Sequence, residues 1–359
     1  MNPYENLHET SFWKLAVGSV APEQINGLWT PKFLMVPSDS FVTYGSCFAQ
    51  HIGRALKARA FNWLNVEPAP QGMSDESQKK FNYGVFSSRT ANIYTSTLLL
   101  QWTKWACGDA QVPDEVWENN GRFYDPFRPA IEPNGFASAA ELRASQRVAV
   151  NSFRKGIEAA DYFVFTMGLT ESWFNRARGY EYPMCPGTVA GDYSPEAHEF
   201  VNQSFGQVLA AMTETIALMR RINPRVRFLL TVSPVPLTAT NSGKHVLTAT
   251  TYSKSVLRAV AGQLCDQFDC VDYFPSYEII VSPTFGGRFY EPNRRDVTRH
   301  GVSFVMDSFF KCLAATVQPQ PAVPEPATEM LAAKAGQAAR DALNCEEAIL
   351  EAYAQERMG

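Results

Sequence analysis

The sequence lacks the patterns that mark several common classes of protein. Its seven cysteines form no CxxC pair, and no histidines stand at the spacing of zinc ligands. It also has no glycine-rich loop ending in Lys-Ser or Lys-Thr, which argues against a phosphate-binding P-loop enzyme. We therefore expect reduced, mostly buried thiols, and a function that requires neither a metal nor a cofactor.

An excess of positive charge and a long hydrophobic run are also missing. The formal net charge of −4 gives no electrostatic reason to expect nucleic acid or an anionic membrane as the main partner. No apolar run approaches the ~18 residues that a membrane span requires. Residues 1–22 lack the basic and apolar segments of a secretory signal. These features predict a soluble, cytoplasmic protein with no membrane and no nucleic-acid partner.

The sequence does contain alternating strand and helix patterns over most of its 359 residues. Continuous apolar runs at 161–168 and 225–234 are typical of parallel strands that are buried on both faces. A shorter strand is expected at 61–66, and long helices at about 196–222 and 252–268. Strands and helices that alternate at these lengths predict an α/β fold with a parallel, doubly wound sheet.

Composition changes along the chain suggest its organisation. We expect an aromatic N-terminal arm (1–34) and one α/β domain (35–317) containing an insertion near 108–137, which is a lid, a flap or a structural hairpin. A proline-rich linker (318–327) then leads to a C-terminal helix (328–359). That helix either packs on the body or pairs with a second copy to form a homo-oligomer, and a mobile tail is the alternative.

Ser46 follows the first predicted strand at a sharp turn. Phe41–Tyr44 is typical of a buried strand, and beyond Gly45-Ser46 the apolar residues recur at helical spacing. A serine at such a corner has the geometry of a nucleophile elbow, where helix N–H groups converge on an oxyanion. The alternative is that Ser46 only caps the helix through its hydroxyl. On these residues alone, capping is favoured.

Other polar segments also follow predicted strands or precede helices. Gly84 lies in a loop before a helical run at 90–105, and the segments 168–173 and 233–245 each follow a buried strand. Because the carboxyl ends of parallel strands meet at one edge of a sheet, these segments are expected to gather there.

Two of the five histidines are candidates for a general base. His300 has Asp296 four residues before it in a loop, and His245 lies in the polar segment after the 225–234 strand. His51 lies five residues beyond Ser46 on the same predicted helix, too far around and along it to take the Ser46 proton comfortably. For either candidate the alternative is a solvent-facing loop histidine.

Several short motifs occur in an order that resembles a known family. Gly45-Ser46-Cys47-Phe48-Ala49 reproduces the motif that names the GSCFA-domain family, which is similar to the SGNH (GDSL-like) hydrolases. The resemblance spans roughly residues 35–315 and continues through Asn82-Tyr83-Gly84, the segment Thr166 to Trp173, Ser233-Pro234-Val235-Pro236-Leu237, Tyr252-Ser253-Lys254-Ser255, the segment Tyr273 to Glu278, Arg288-Phe289-Tyr290 and the loop Asp296 to His300.

The resemblance implies a flavodoxin-like three-layer α/β/α sandwich and a Ser-His-Asp mechanism. Ser46 would be the nucleophile, His300 the base and Asp296 the acid that orients it. The N–H groups of Ser46 and Gly84, with Thr170, would form the oxyanion hole. A second set, expected to bind substrate, comprises Asn82, Glu171 and Trp173.

The sequence departs from the SGNH pattern at two positions. Thr170 stands where an asparagine is usual, and removal of one oxyanion donor costs on the order of 3 kcal/mol. Three residues instead of two separate Asp296 from His300. These departures leave His245 open as an alternative base and Glu171 as an alternative acid.

The expected activity is hydrolysis of a small-molecule or carbohydrate ester, with acetyl as the expected acyl group. The first alternative is O-acyl transfer at the same site. The second is a non-catalytic carbohydrate-binding or complex-forming protein on the same scaffold, because a fold does not guarantee a function.

Overall fold

The computed structural model describes residues 2–316. Residues 36–273 form one compact unit, and residues 2–35 with 274–316 form another. The predicted linker (318–327), the C-terminal helix (328–359) and Cys345 lie outside the described residues.

Of the elements between residues 2 and 316, the first unit contains all the strands and most of the α-helices. The strands are β1 (Ser40–Gly45), β2 (Asn62–Trp63), β3 (Trp117–Asn119), β4 (Arg122–Tyr124), β5 (Tyr162–Met167), β6 (Glu171–Asn175), β7 (Glu181–Tyr182), β8 (His198–Asn202), β9 (Arg227–Val232) and β10 (Val271–Tyr273). The helices are α1 (Ala49–Ala58), α2 (Asp75–Lys80), α3 (Ser96–Cys107), α4 (Ala139–Ala159), α5 (Phe205–Ile222) and α6 (Val246–Gln267), followed in the second unit by α7 (Ser276–Val281) and α8 (Arg299–Thr316). None of the helices between residues 2 and 316 is long and apolar enough to cross a membrane.

Five parallel strands form the central sheet in the order β2-β1-β5-β9-β10. Numbered by their appearance in the chain, these strands run 2-1-3-4-5, which is the flavodoxin-like order. The order reverses between β1 and β5, so a crevice opens beyond their carboxyl ends. The predicted parallel, doubly wound sheet is confirmed.

Helices cover both faces of this sheet. Gly156 of α4 lies against Val42 and Tyr44, whereas Gly53 of α1 lies against Thr43. Successive residues of a strand point to opposite faces, so α4 and α1 pack on opposite sides of β1. This arrangement confirms the three-layer α/β/α sandwich.

A second, antiparallel sheet corrects the prediction of a continuous helix at 196–222. Residues His198–Asn202 form β8, which pairs with β6, and β7 pairs with the other edge of β6. The helix begins only at Phe205, after Ser204 and Gln207 form a reciprocal capping box. β8 has only five residues, its sequence His-Glu-Phe-Val-Asn does not alternate between apolar and polar residues, and it lies just before the helix, which is why the two read as one element.

The 108–137 insertion contains a β-hairpin. Its strands β3 and β4 pair antiparallel, from Trp117 opposite Tyr124 to Asn119 opposite Arg122. A buried ion pair between Arg128 and Asp125, 2.7 Å apart, lies in the same insertion.

The cysteines within residues 2–316 are all free thiols. Cys47 and Cys312 are buried, whereas Cys107, Cys185, Cys265 and Cys270 are only partly buried. The expectation that most thiols are buried is therefore wrong for these four.

The second unit has an aromatic core of its own. Trp29 from the N-terminal arm stacks on Phe309 of α8 at 5.3 Å and meets Phe274 edge-on at 5.2 Å. The arm is thus part of a folded unit with α8.

Glu181 of β7 is a fully buried carboxylate that joins the antiparallel sheet to α3. The hydroxyls of Thr95 and Thr97 donate to its two oxygens, and its backbone N–H donates to Gln101 at 2.8 Å. Burial raises the pKa of Glu181 to about 7, although the two threonine hydroxyls lower it.

We expect Glu181 to make the folded state less stable as the pH rises. The folded pKa lies above the unfolded value, so between pH 4.5 and about 7 the folded state holds more protons, and stability falls across this window. In the wild type, the free energy of unfolding should fall by about 3 kcal/mol between pH 4.5 and about 7 because of this group. Glu181→Gln should abolish that fall. Urea unfolding at several pH values measures this, with exposed Glu118→Gln as the control; parallel pH profiles for wild type and Glu181→Gln would contradict it.

Candidate active site

The end of β1 is fixed by a close approach to β5. Gly45 has a φ of +131°, and a Cβ on it would lie 2.7 Å from the backbone nitrogen of Thr166 and closer still to the Thr166 carbonyl oxygen. Only glycine adopts this conformation at this distance without strain. The next residue, Ser46, is therefore held at the carboxyl edge of the sheet.

The hydroxyl of Ser46 does not cap α1. The helix begins at Ala49, and its N-cap residue Phe48 makes no side-chain capping bond. Ser46 is 3% exposed, and its Oγ has no hydrogen-bond partner among the described residues. The capping interpretation is wrong. A buried hydroxyl without a partner costs free energy, and such groups often have a functional reason.

A small cavity of about 10 Å³ adjoins Ser46, with room for one water molecule. Its lining includes Tyr94, Gly168, Ser233, Leu237 and Lys254. These residues come from the exits of β5 and β9, from the segment before α3 and from α6. The cavity lies where the strand order reverses, which is the usual ligand site of an open α/β sheet.

Tyr94 reaches this edge because the preceding segment runs beside β1. The N–H of Ser87 donates to the Thr43 carbonyl at 3.3 Å, and the N–H of Ile93 donates to the Gly45 carbonyl at 2.9 Å. The segment therefore advances along β1 towards its carboxyl end. Sequence reasoning missed Tyr94, although its position just before the N-cap Thr95 of α3 was a usable signal.

Gly84 and Asn82, earlier in the same segment, have other neighbours. Lys57 at the C-terminal end of α1 donates to the Gly84 carbonyl at 3.4 Å, and Asn82 donates to the Ala130 carbonyl at 3.5 Å. Arg89 holds this turn, since it donates to the Phe81 carbonyl and stacks on Tyr83. Neither Gly84 nor Asn82 lines the cavity at Ser46, so their assigned roles stay predictions.

Two other expected oxyanion donors are engaged within the sheet and its loops. The N–H of Ser46 donates to the Thr166 carbonyl at 3.0 Å. Thr170 donates its hydroxyl to Asn202 Oδ1 at 2.7 Å and its N–H to Ser253 Oγ at 3.0 Å. In this conformation these donors have protein partners, so an oxyanion would have to compete for them.

Asn202 of β8 thus stands beside Thr170. Asn202 Oδ1 accepts a hydrogen bond from the Thr170 hydroxyl. This hydrogen bond orients the whole side-chain amide of Asn202, including Nδ2. Sequence reasoning missed Asn202 because this segment was assigned to a helix.

α6 supplies two consecutive residues to the loop after β5. Ser253 accepts from the N–H of Thr170, and Lys254 Nζ donates to the Gly168 carbonyl at 2.6 Å. Lys254 is 2% exposed. Its place on the apolar face of a predicted helix, with Leu257 and Ala261 at i+3 and i+7, was a signal that sequence reasoning left unused.

Glu171 and Trp173 lie on β6, directly after this loop. The hydroxyl of Thr240 donates to Glu171 at 2.5 Å, and burial raises the pKa of the Glu171 carboxyl. The partly exposed ring of Trp173 meets those of Tyr193 and Phe200, with centroids 5.4 and 5.5 Å apart. An aromatic surface therefore begins a few residues beyond Gly168.

The histidines of the first unit do not line the Ser46 cavity. His245 is exposed and caps α6, where its Nδ1 accepts from the N–H of Leu247 at 3.2 Å. It stands nine residues before Lys254, about 13.5 Å along the helix axis. Loss of hydration, with Arg54 nearby, lowers the pKa of His51 to about 3, which makes it a poor base at neutral pH.

His300 and Asp296 belong to the second unit. The Asp296 carboxylate accepts from Asn293 Nδ2 at 2.8 Å and lies 3.5 Å from Arg295. The exposed ring of His300, at the start of α8, packs 5.5 Å from that of Phe289. The pairing of Asp296 with His300 stays a prediction.

No three His, Cys, Asp or Glu side chains between residues 2 and 316 are grouped so that they could hold a metal ion.

In comparisons with known proteins, the model of the GSCFA family matches residues 40–309. A comparison with curated proteins finds no match. The match confirms the GSCFA resemblance, while the wider likeness to SGNH hydrolases stays a prediction.

Proposed function

The chain belongs to the GSCFA family, and we propose that it cleaves or transfers a short acyl group of an ester, with Ser46 as the nucleophile. The acceptor or alcohol portion is proposed to be a small molecule, with a carbohydrate as the expected class. The proposed setting is the cytoplasm, and no cofactor enters the reaction.

One observation supports this proposal above the others. The Ser46 hydroxyl is buried and unpartnered within the described chain, and it lies on a cavity at the point where the strand order reverses. Most capping or purely structural serines have a hydrogen-bond partner. Ser96 is buried and unpartnered as well, so the feature that distinguishes Ser46 is its place on the cavity. A nucleophile needs its oxygen available to the substrate and to a base.

The chemistry would follow the general course of serine catalysis. Ser46 Oγ attacks the acyl carbon while a base accepts its proton, and the carbonyl electrons move to the oxygen. The tetrahedral intermediate expels the alcohol, which takes the proton from the base. Water or a second alcohol then accepts the acyl group. His300 is the proposed base and Asp296 the proposed orienting acid.

A carbohydrate acceptor has one further observation in its favour. Trp173, Tyr193 and Phe200 form a partly exposed aromatic cluster on β6 and its neighbours. Aromatic rings combine apolar faces with limited conformational entropy, which suits the apolar faces of sugar rings. A screen of acetylated sugars with the purified protein tests this part.

A fluorophosphonate probe tests the proposed function directly. The probe should form a covalent adduct on the peptide containing Ser46, detected by mass spectrometry of the digested protein. Denatured protein is the control and should remain unlabelled. A folded protein that forms no adduct would contradict the proposal and favour a non-catalytic, carbohydrate-binding role.

Acyl chain length should affect the rate. The cavity has room for about one water molecule, and Val235 and Leu237 line it, so a longer chain must displace packed side chains. We expect kcat/KM on aryl esters to fall at least about tenfold from acetate to octanoate, since a tenfold change needs only about 1.4 kcal/mol. Equal rates for both esters would contradict a short-acyl site.

His300→Ala should reduce turnover far more than His245→Ala. Loss of a general base costs on the order of 10²-fold or more in kcat. His245 already uses Nδ1 to cap α6, so its replacement should mainly reduce stability, by about 1 kcal/mol. Initial rates on an aryl acetate measure the first effect and thermal unfolding the second. The reverse ranking of rates would reassign the base to His245.

A further inference from the structure

A serine nucleophile requires a group that stabilises the oxyanion of the tetrahedral intermediate. Such groups act best when they are fixed in a buried site before the reaction. Two of the donors expected from the sequence are engaged elsewhere, since Ser46 N–H donates to Thr166 and the Thr170 hydroxyl to Asn202. The cavity lining should therefore contain another donor.

Lys254 is the charged residue of that lining. It lies on α6, is 2% exposed, and donates from Nζ to the Gly168 carbonyl at 2.6 Å. Gly168 also adjoins the nucleophile, because a Cβ on it would lie 3.1 Å from Ser46 Cβ. One residue, Gly168, thus contacts both the lysine and the serine.

We propose that Lys254 is a catalytic residue whose ammonium group stabilises the oxyanion formed when Ser46 attacks an ester. This inference rests on the proposed function of the site. As the Ser46 Oγ–carbon bond forms, the carbonyl π electrons move to oxygen and the base takes the serine proton. Lys254 keeps its own proton and donates a hydrogen bond from Nζ to the new anion.

The physical setting favours this role. An ammonium group has three donors, and the hydrogen bond to the Gly168 carbonyl uses one of them. A unit charge a few ångströms from an oxyanion stabilises it more in a buried cavity than in water.

Replacement of Lys254 by methionine and by arginine tests the proposal. Methionine keeps the apolar stem and removes the charge, and we expect kcat on an aryl acetate to fall 10²- to 10³-fold with little change in KM. Arginine keeps the charge and cannot act as a base, so Lys254→Arg should retain at least tenfold more activity than Lys254→Met.

Arg258→Met, one turn further along α6, is the matched control. Arg258 stacks on Tyr273 at 4.1 Å and does not line the cavity.

Each result decides between distinct explanations. If Lys254→Arg is as inactive as Lys254→Met while folded, Lys254 is a base or a packing residue, and the proposal is wrong. If Lys254→Met keeps near wild-type kcat while Ser46→Ala is inactive, the inference fails but the serine mechanism stands. If wild type shows no activity or labelling that depends on Ser46, the proposed function itself fails. Should Lys254→Met unfold, Lys254→Gln with Lys254→Arg gives the same comparison, and thermal unfolding of every variant identifies loss of structure.

Discussion

Ser46→Ala is expected to abolish ester turnover, with a loss on the order of 10⁴-fold or more in kcat. The hydroxyl is the proposed nucleophile, so its removal leaves no atom that can form the acyl-enzyme. The same change should raise stability, because it removes a buried hydroxyl that has no partner within the described residues. Relief of such a group is worth about 1 kcal/mol. Activity and stability should therefore move in opposite directions, as is common at active sites.

Ser96→Ala provides a matched control. Ser96 is also buried, at 1% exposure, and its Oγ is also unpartnered. It is the first residue of α3 and does not line the cavity. Its replacement should give a similar gain in stability and leave turnover unchanged. Initial rates on an aryl acetate and thermal unfolding measure both properties. Substantial activity in Ser46→Ala would remove Ser46 from the mechanism.

The fold was more accessible from the sequence than the site. Long apolar runs such as 161–168 predict central parallel strands, because both faces of such strands are buried. The flavodoxin-like strand order was expected from the family resemblance, because topology rules alone leave more than one doubly wound order open. β8 was missed because its five residues show no apolar–polar alternation and lie just before a long amphipathic helix. Its pairing with β6 is a tertiary contact that local pattern does not encode.

The site was predictable where a residue directly follows a strand, and not where its position depends on distant packing. Ser46 lies at the edge of the sheet as expected, since it directly follows β1. Tyr94 reaches the same edge through the path of a loop, and Lys254 through the packing of α6 on the loop after β5, which short motifs do not specify. The engagement of Thr170 with Asn202 likewise depends on the antiparallel sheet.

Gly45→Ala is expected to be the most destabilising single change at the site. Alanine at a φ of +131° is strained, and its Cβ would overlap the backbone of Thr166. Neither strand can move easily, because β1 and β5 lie in the middle of the sheet. We expect a loss of at least about 4 kcal/mol, a large share of the roughly 5–15 kcal/mol that stabilises a typical domain.

Gly206→Ala separates this steric effect from a general effect of adding a methyl group. Gly206 lies in the first turn of α5, and a Cβ on it would meet no heavy atom within 4 Å. Because alanine is the better helix former, this variant should be neutral or more stable by up to about 1 kcal/mol. Urea midpoints of the two variants measure the difference. A Gly45→Ala midpoint equal to that of wild type would mean that β1 and β5 do not approach as closely as described. In that case the backbone of Gly45 would not hold Ser46 in a fixed position. The proposed chemistry requires a fixed position, because a displacement of the nucleophile by about 1 Å costs up to 10²-fold in rate.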